Sequence, residues 1–258
     1  MKLSVGIITK DEELNLPRTL AAIHEIADEI IIIDNGSEDR TAEIAGQFNA
    51  SFFTEEWKGY GEQKNSVLKK CRGEWILLID ADEVVTPKLK EQIQSIINSE
   101  ESQFNVYAIK RRTVCFGKEI KHGGMSGDFV PRLWKNGSVK LSSDIVHEDY
   151  ITKEKIGKIK EKLMHYTYNS IDEYLAAFRT YSILGVQKYF AAKKKSCLLQ
   201  VTIRPTMRFI RDYLLRLGFL DGIEGLLLAR LSAAQVMIKY YGLRKCYRDE
   251  KNQDKNLL

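Results

Sequence analysis

The sequence has few cysteines and none in a recognisable pattern. Only four occur in 258 residues, far apart from one another, and there is no CxxC pair or Cys/His cluster with zinc-binding spacing. A disulfide framework is not expected in a chain of this size, and the thiols are expected to be reduced, as in cytosolic proteins. The length suits one large domain, or one domain with a helical appendage.

Long apolar runs are also missing. Crossing a bilayer takes about 20 consecutive apolar residues, and charged residues interrupt the most apolar stretch, residues 209–238. The N-terminal segment lacks the apolar core of a signal peptide, so a cytoplasmic protein is expected. The net charge of +5 is too small to predict binding to nucleic acid.

Two common phosphate-binding loops are absent as well. The sequence contains no GxGxxG and no GKS/T segment, whose backbone N–H groups hold nucleotide phosphates. A carboxylate-rich site without such a loop favours a metal ion between protein and phosphates.

The first hundred residues alternate regularly between strand and helix patterns. Dense apolar or β-branched runs at 3–9, 29–34, 51–53 and 75–79 predict strands, several of them buried on both faces. Helical patterns separate these runs. The rhythm predicts an α/β fold with an open, mostly parallel sheet and helices on both faces. After Ser170 the pattern is helical.

Two carboxylates, Asp80 and Asp82, directly follow the strand predicted at 75–79. Residues two apart on an extended backbone project to the same side. Such a pair can hold one divalent cation against a diphosphate, because Mg²⁺ uses one or two carboxylates together with phosphate oxygens and water. The alternative is an acidic turn that leads into the helix predicted at Pro87.

Polar residues also follow the first two predicted strands, at 9–15 and 34–41. In open α/β sheets, ligands bind beyond the carboxyl ends of the strands. Three successive strand ends therefore deliver acidic or polar groups to one edge of the sheet.

The residues at these strand ends resemble those of family 2 glycosyltransferases, which have the Rossmann-like GT-A fold. The resemblance rests on residues 4–13, 31–41 and 80–83, in the family's order and spacing. The chain departs from the commonest pattern at Asn35, where many members have a second Asp. Asn can still form hydrogen bonds, so the departure is not expected to disable the site.

Within that family the chain is similar to bacterial enzymes that add glucose in β-1,4 linkage to heptose of the lipopolysaccharide core. This closer similarity spans nearly the whole chain. It rests on residues 59–65, 131–134, 146–148, 165–168 and 218–222.

The resemblance implies a binding site for a UDP-sugar donor. Thr9, Asp11 and Glu13 would line the pocket for the base, and Asp34 would bind the uridine. Arg132 could neutralise the leaving diphosphate, since Arg binds phosphate with two parallel hydrogen bonds; the alternative for Arg132 is a surface salt bridge.

The resemblance also implies a metal, Mg²⁺ or Mn²⁺. Asp80 and Asp82 would lie at the ribose and the metal, with Asp82 the direct ligand, while Lys64 and Asn65 would approach the donor from the helix after the third strand. His165 could complete the metal shell, as a downstream histidine does in some GT-A enzymes. The alternative for His165 is a histidine satisfied within the core.

An inverting transfer needs a carboxylate that deprotonates the acceptor hydroxyl. This base must lie opposite the leaving diphosphate, so it is not expected to come from Asp80 or Asp82. Glu148 is the preferred candidate, and Asp128 and Asp149 are the rivals.

The C-terminal part is basic and amphipathic. Residues 204–248 hold nine Lys and Arg but three Asp and Glu, and the Arg residues are interleaved with large apolar ones. Such a helix can lie on an anionic membrane, so residues 204–245 could contact the inner face of the cytoplasmic membrane. Packing on the catalytic domain or on a second subunit, in a homo-oligomer, is the alternative.

These features predict three regions. A GT-A domain would span 1–168, with a nucleotide-binding half at 1–100 and an acceptor half at 101–168. A helical extension would follow at 169–248, and a polar tail at 249–258.

The expected function is inverting, metal-dependent transfer of a hexose, glucose in the first instance, from a UDP-sugar to a sugar hydroxyl of a lipid-linked glycan such as lipopolysaccharide core. Transfer to polyprenyl phosphate or to a protein is the alternative within enzymes. A non-catalytic protein that binds nucleotide sugars is the alternative outside them.

Overall fold

A computed structural model describes residues 1–142 and 149–256. The described residues form two compact units. The first consists of Met1–Arg112 and Gly127–Tyr166, and the second of Thr113–Ser126 and the chain from Thr167 onward.

The first hundred residues form the predicted alternation of strands and helices. The strand and helix bounds, in chain order, are β1 Leu3–Thr9, α1 Leu16–Ile23, β2 Glu29–Asp34, α2 Thr41–Gln47, β3 Ser51–Thr54, α3 Tyr60–Lys70, β4 Trp75–Asp80, β5 Glu83–Val85 and α4 Pro87–Asn98. The short strand β5 was not expected. Helix α4 begins as expected at Thr86-Pro87, where the Thr86 hydroxyl accepts a hydrogen bond from the Leu89 N–H.

The next seventy residues form strands without long helices between them. These strands are β6 Val106–Cys115, β7 Lys118–Glu119, β8 Phe129–Lys135, β9 Lys140–Leu141, β10 Tyr150–Ile151 and β11 Ile156–Tyr168. Strands β9 and β10 form a separate two-stranded antiparallel sheet.

The main sheet has nine strands, in the order β3-β2-β1-β4-β8-β6-β11-β5, with β7 paired to β6. The four strands of the first eighty residues pair in parallel. Strand β8 pairs antiparallel with both β4 and β6. Strands β6 and β8 follow each other without an α-helical crossover, which parallel neighbours usually need. The predicted α/β fold class is confirmed, and its parallel part consists of β1, β2, β3 and β4.

Both faces of the parallel strands are buried, which explains their unbroken apolar sequences. Alternate residues such as Ile32 and Leu77 belong to one core cluster, which includes residues of α1 and α4. Their neighbours Ile33 and Leu78 belong to a second cluster, which includes residues of α3. Helix α3 packs so closely on β1 that a Cβ at Gly6 would lie 2.3 Å from a methyl group of Val67.

The second unit is mainly helical, which confirms the expected C-terminal helical region. Its helices are α5 Ile171–Ala191, α6 Leu198–Phe209 and α7 Gly222–Asn256, and a π-helical segment, Ile210–Leu215, and a 3₁₀ turn, Gly218–Asp221, connect α6 to α7. Leu217 and Gly222 flank that turn with positive φ angles of 57° and 70°. Among the described residues, no helix has both the length and the apolarity that a membrane span requires.

Asp221 fixes a loop within the second unit. Its carboxylate accepts hydrogen bonds from the backbone N–H groups of Lys121 and His122 and contacts His122 Nδ1 at 3.0 Å. The side chain is almost completely buried. Asp221 lies in the 218–222 segment that resembles the lipopolysaccharide enzymes, so the structure gives this segment a role in holding the chain at 121–122.

Candidate functional site

The carboxyl ends of three neighbouring strands bring the predicted residues together. Strand β1 lies between β2 and β4, and its register sets Thr9 beside Asp34 and Ile8 beside Asp80. The Thr9 hydroxyl donates a 2.8 Å hydrogen bond to Asp34 Oδ1. The predicted binding edge is therefore formed by adjacent strands.

Asp34 is buried, and its carboxylate organises the loop that follows β2. Besides Thr9, it accepts hydrogen bonds from the N–H and the hydroxyl of Ser37, at 2.7 and 2.5 Å. Ser37 and Asp39 both belong to the residue types that cap helices. Ser37 bonds Asp34 here, and Asp39 Oδ1 accepts a hydrogen bond from the N–H of Thr41, where α2 begins.

The loops after β1 and β2 are tied together by reciprocal hydrogen bonds. The Asp11 N–H donates to Ser37 Oγ, and the Asp11 carboxylate accepts from the Glu38 N–H. The Glu13 N–H donates to Asp39 Oδ2 at 2.9 Å. Asp11 has a φ of 53°, in the left-handed region where Asp is tolerated better than most residues. Asp11 and Glu13 are thus held in a defined loop beside Asp34.

Asp80 and Asp82 form a D-x-D pair, and the carboxylate of Asp80 is held by two buried cations. Asp80 Oδ1 lies 2.8 Å from Lys64 Nζ, and Asp80 Oδ2 lies 2.6 Å from a guanidinium nitrogen of Arg132. Lys64 and Arg132 are 2% and 1% exposed. Burial alone would raise the pKa of Asp80, but Arg132 and Lys64 hold it well below its usual range. Asp80 is therefore ionised at any physiological pH.

A second buried acid, Glu83, completes this network. Arg132 donates to Glu83 Oε1 at 2.8 Å and to the Tyr150 hydroxyl at 2.7 Å, and the Asp80 N–H donates to Glu83 Oε2. Burial lowers the pKa of Arg132, but the neighbouring carboxylates of Asp80 and Glu83 raise it by more. The pKa of Arg132 therefore lies well above its usual value. Glu83 had no predicted role, and the one signal for it in the sequence is its position directly after Asp82.

The second carboxylate of the pair faces a histidine. Asp82 Oδ2 lies 2.9 Å from His165 Nε2, and both side chains are about one-fifth exposed. The histidine is delivered by β11, where it is the partner of Glu83 in the β5–β11 ladder. Burial lowers the pKa of His165, but the hydrogen bond and charge of Asp82 outweigh it, so the pKa is raised overall.

The Asp82–His165 pair has the spacing of two neighbouring metal ligands. Two ligand atoms at right angles, each about 2.1 Å from an octahedral ion, are about 3 Å apart. Among residues 1–142 and 149–256, no group of three or more His, Cys, Asp or Glu residues is arranged to hold a metal. The pair therefore fits an ion whose other ligands are phosphate oxygens and water.

The Asn65 side chain links α3 to β9. Its side-chain amide donates to the Leu141 carbonyl at 3.0 Å and accepts from the Leu141 N–H at 3.1 Å. The same helix carries Gly61, where a Cβ would lie 1.8 Å from the Ser142 carbonyl oxygen. This part of the 59–65 motif thus fixes α3 against β9 and leaves Lys64 at Asp80.

The candidate bases differ in what the structure describes. Glu148 lies outside the described residues. Asp128 is 61% exposed and forms an ion pair with Arg111 at 3.1 Å. Asp149 is exposed, and its backbone N–H donates to the Ser142 hydroxyl.

The sequence matches a known family over well over half of its length. Residues 4–171 match the profile of glycosyl transferase family 2. This range contains the β1, β2 and β4 strand ends, Arg132 and His165.

Relatives match the sequence over nearly the whole length of the chain. An uncharacterized glycosyltransferase of Rickettsia bellii (strain RML369-C) is 26% identical over 254 residues, which cover 95% of this chain and 86% of the relative. The lipopolysaccharide core biosynthesis glycosyltransferase LpsC of Rhizobium meliloti (strain 1021) is 26% identical over 250 residues, which cover 92% of both chains.

Among solved structures, that of S. aureus TarS 1-349 in complex with UDP aligns with a TM-score of 0.46 and 15% identity, over 97% of this chain and 92% of the other. The chain belongs to glycosyl transferase family 2 and is a glycosyltransferase.

Proposed function

We propose that this glycosyltransferase is inverting and metal-dependent, and that it moves a hexose from a UDP-sugar to a sugar hydroxyl of a lipid-linked glycan of the lipopolysaccharide core type. UDP-glucose is the first donor to test. The observation that carries the proposal is the Asp82–His165 pair, at 2.9 Å, beside an Asp80 that two buried cations hold.

The donor half of the site follows from the strand ends. Asp11 and Glu13 lie in the loop tied to Asp34, and we assign them to the base and ribose of the nucleotide. Asp34 keeps this loop in place through Thr9 and Ser37. The nucleoside therefore binds across the loops that follow β1 and β2.

The diphosphate end is assigned to Asp82 and His165. When bound, a divalent ion stabilises the negative charge that develops on the departing diphosphate. Carboxylate and water ligands suit both Mn²⁺ and Mg²⁺, so the site is assigned to either ion, and Mn²⁺ is the first to test. The D-x-D carboxylates then have separate roles: Asp82 binds the ion, and Asp80 positions Lys64 and Arg132.

Transfer itself breaks the bond between the anomeric carbon and the diphosphate oxygen and forms a bond from that carbon to the acceptor oxygen. The acceptor hydroxyl loses its proton to a carboxylate, for which we propose Glu148. The attack comes from the side opposite the leaving diphosphate, so the anomeric configuration inverts. UDP is released.

The acceptor class rests on the name of one relative. LpsC of Rhizobium meliloti is named for lipopolysaccharide core biosynthesis and matches over 92% of both chains. We extend that class of acceptor, a sugar on a lipid-linked glycan, to this chain. This acceptor places the enzyme in the cytoplasm, at the inner face of the cytoplasmic membrane.

The second unit carries the feature that fits such a membrane contact. Large apolar side chains are exposed along its α6–α7 segment: Leu198, Leu199, Ile203, Met207, Ile210, Leu214, Leu215, Leu217, Phe219, Leu220 and Ile223. Arg204 and Arg216, in the same segment, are exposed too. Apolar side chains interleaved with arginine suit the interface of an anionic membrane.

A donor screen tests the proposed reaction. Purified enzyme is incubated with lipopolysaccharide acceptor, Mn²⁺ and one of a panel of UDP-, GDP- and dTDP-sugars, and the released nucleoside diphosphate is measured. We expect UDP release, highest with UDP-glucose, and loss of release in excess EDTA that added Mn²⁺ restores. Equal release with and without EDTA would reject the metal, and release of GDP or dTDP alone would reject the donor.

A further inference from the structure

The second unit contains a cavity that the proposed reaction does not use. Its volume is about 450 Å³, within the roughly 300–1,000 Å³ range of small-molecule sites. Residues of α5 and α7 form most of its lining. The cavity lies entirely within the second unit.

Aromatic rings form much of this lining. They are Tyr168, Tyr174, Phe178, Tyr181 and Tyr189. Tyr168 and Tyr174 pack edge to face with centroids 4.7 Å apart, and Tyr174 stacks on Phe178. Ring faces carry negative partial charge, which attracts the polarised C–H groups on one side of a sugar ring. Tyrosines add hydroxyl groups, which an apolar ligand would leave unused.

The charged groups of the lining are positive. Lys239 and Arg208 line the cavity, and no Asp or Glu of the described part of the chain does. Lys239 Nζ lies 4.3 Å from the centroid of the Tyr189 ring. Arg208 pairs with Asp212, but this one carboxylate is shared with Arg211 and Arg216, at 2.9 and 3.8 Å. The cavity therefore favours an anionic ligand.

One buried hydroxyl of the lining has no partner. Ser182 is 4% exposed, and its Oγ forms no hydrogen bond within the part of the chain that the structure describes. Buried polar groups are normally hydrogen-bonded. The oxygen is closed to solvent, so a ligand hydroxyl would supply the missing bond after the Ser182 side chain rotates, which an acyl chain could not do.

We propose that this cavity binds an anionic saccharide, a sugar with a phosphate or carboxylate substituent, and that this sugar belongs to the acceptor. The assignment of the sugar to the acceptor rests on the proposed function; the binding itself does not. Aromatic faces hold the ring, Lys239 and Arg208 hold the anionic group, and Ser182 and Gln235 hydrogen-bond to hydroxyls.

The test is an NMR titration of the full chain, ¹⁵N-labelled and saturated with UDP and Mg²⁺ to block the donor site. The probe is glucose 6-phosphate, and glucose, inorganic phosphate and decanoate are the comparison probes. We expect saturable shifts at amides of α5 and α7 around Ser182 and Gln235. Glucose and inorganic phosphate should each bind about tenfold more weakly, since each supplies only part of the recognition.

Matched variants show whether the cavity is responsible. Tyr181 and Tyr241 are 57% and 56% exposed on helices of the same unit, and only Tyr181 lines the cavity. Tyr181→Ala and Lys239→Gln should weaken the binding of glucose 6-phosphate about threefold to tenfold. Tyr241→Ala and Lys245→Gln should leave it unchanged.

Three results would overturn the inference: shifts outside the cavity, equal effects of the paired variants, or binding of decanoate without binding of glucose 6-phosphate. The titration needs no turnover. Binding here without UDP release from any donor would reject the proposed transfer alone, and UDP release without binding here would reject this inference alone.

Discussion

Arg132 joins two acids at the edge of the sheet. The residue is 1% exposed and bonds Asp80 and the fully buried Glu83 at 2.6 and 2.8 Å. Breaking a buried ion pair by removing one partner leaves an uncompensated charge. Arg132 is therefore needed for the stability of the first unit as well as for the geometry of its site.

We expect Arg132→Gln to lower the free energy of unfolding by about 3–5 kcal/mol. Urea unfolding followed by tryptophan fluorescence measures this change, because Trp75 and Trp134 are buried in the first unit. The control is Arg40→Gln, whose fully exposed pair with Glu43 should contribute little to stability. Similar losses in the two variants would contradict the buried network.

Glu29 gives a prediction of pH dependence. Burial raises the pKa of Glu29, but hydrogen bonds from the Ser4 hydroxyl and from the backbone and side chain of Arg72 lower it below its ordinary value of 4.5. A lowered pKa in the folded state contributes stability above pH 4.5. This contribution is lost as the pH falls through the lowered value.

Glu29→Gln should therefore destabilise the protein by about 1–3 kcal/mol at pH 7, and the difference from wild type should shrink as the pH falls below 4.5. Urea unfolding at a series of pH values measures it. Glu101→Gln, at an exposed position, is the control and should change nothing. A difference that stays constant down to pH 3 would contradict the assigned cause.

At the scale of elements, the proposed membrane contact can be tested at the exposed apolar side chains of the α6–α7 segment. Leu215 is 75% exposed in this segment, and Leu14 is 76% exposed in the first unit. An aspartate at either position should be tolerated by the fold. The two leucines therefore form a matched pair.

Leu215→Asp should weaken binding to vesicles of anionic phospholipid about tenfold or more, because a Leu side chain contributes about 1.5–3 kcal/mol when fully buried and the new charge is repelled. Leu14→Asp should bind like wild type. Co-sedimentation with vesicles of phosphatidylglycerol and phosphatidylethanolamine measures both variants. Equal binding by Leu215→Asp and wild type would contradict the proposed contact.

The elements differ in how far the sequence could predict them. The bounds of β1 and β2 agree with the expected ranges, because dense apolar runs buried on both faces leave little ambiguity. The start of α2 is harder to predict, since Ser37 and Asp39 are both capping residue types. In the structure Ser37 bonds Asp34 and Asp11, and α2 begins at Thr41. The break at 210–221 was not expected, because π-helical and 3₁₀ segments have no apolar period of their own.

At the scale of the whole molecule, the sequence predicted which residues meet but not what each one does. Thr9, Asp34 and Asp80 were placed at one edge because parallel strands share their carboxyl ends. The use of Asp34 as a loop anchor and of Asn65 as a link to β9 depends on partners far away in sequence. Such pairings follow from the packed structure, and local patterns do not encode them.

The same distinction applies to the D-x-D pair. The spacing of Asp80 and Asp82 alone does not distinguish them as metal ligands, and only the family resemblance favoured Asp82. The structure separates them, because Lys64 and Arg132 take both oxygens of Asp80 while Asp82 meets His165. The central claim is therefore that Asp82 and His165 together bind the ion on which transfer depends.

The measurement that tests this claim most directly is the Mn²⁺ dependence of UDP release from UDP-glucose, with lipopolysaccharide acceptor, in wild type, Asp82→Asn and His165→Gln. The controls are Asp249→Asn and His24→Gln, both at exposed positions. We predict that His165→Gln raises the Mn²⁺ concentration for half-maximal release about tenfold or more and that Asp82→Asn abolishes release, while both controls match wild type. An unchanged Mn²⁺ dependence in His165→Gln, together with full release by Asp82→Asn, would contradict the claim.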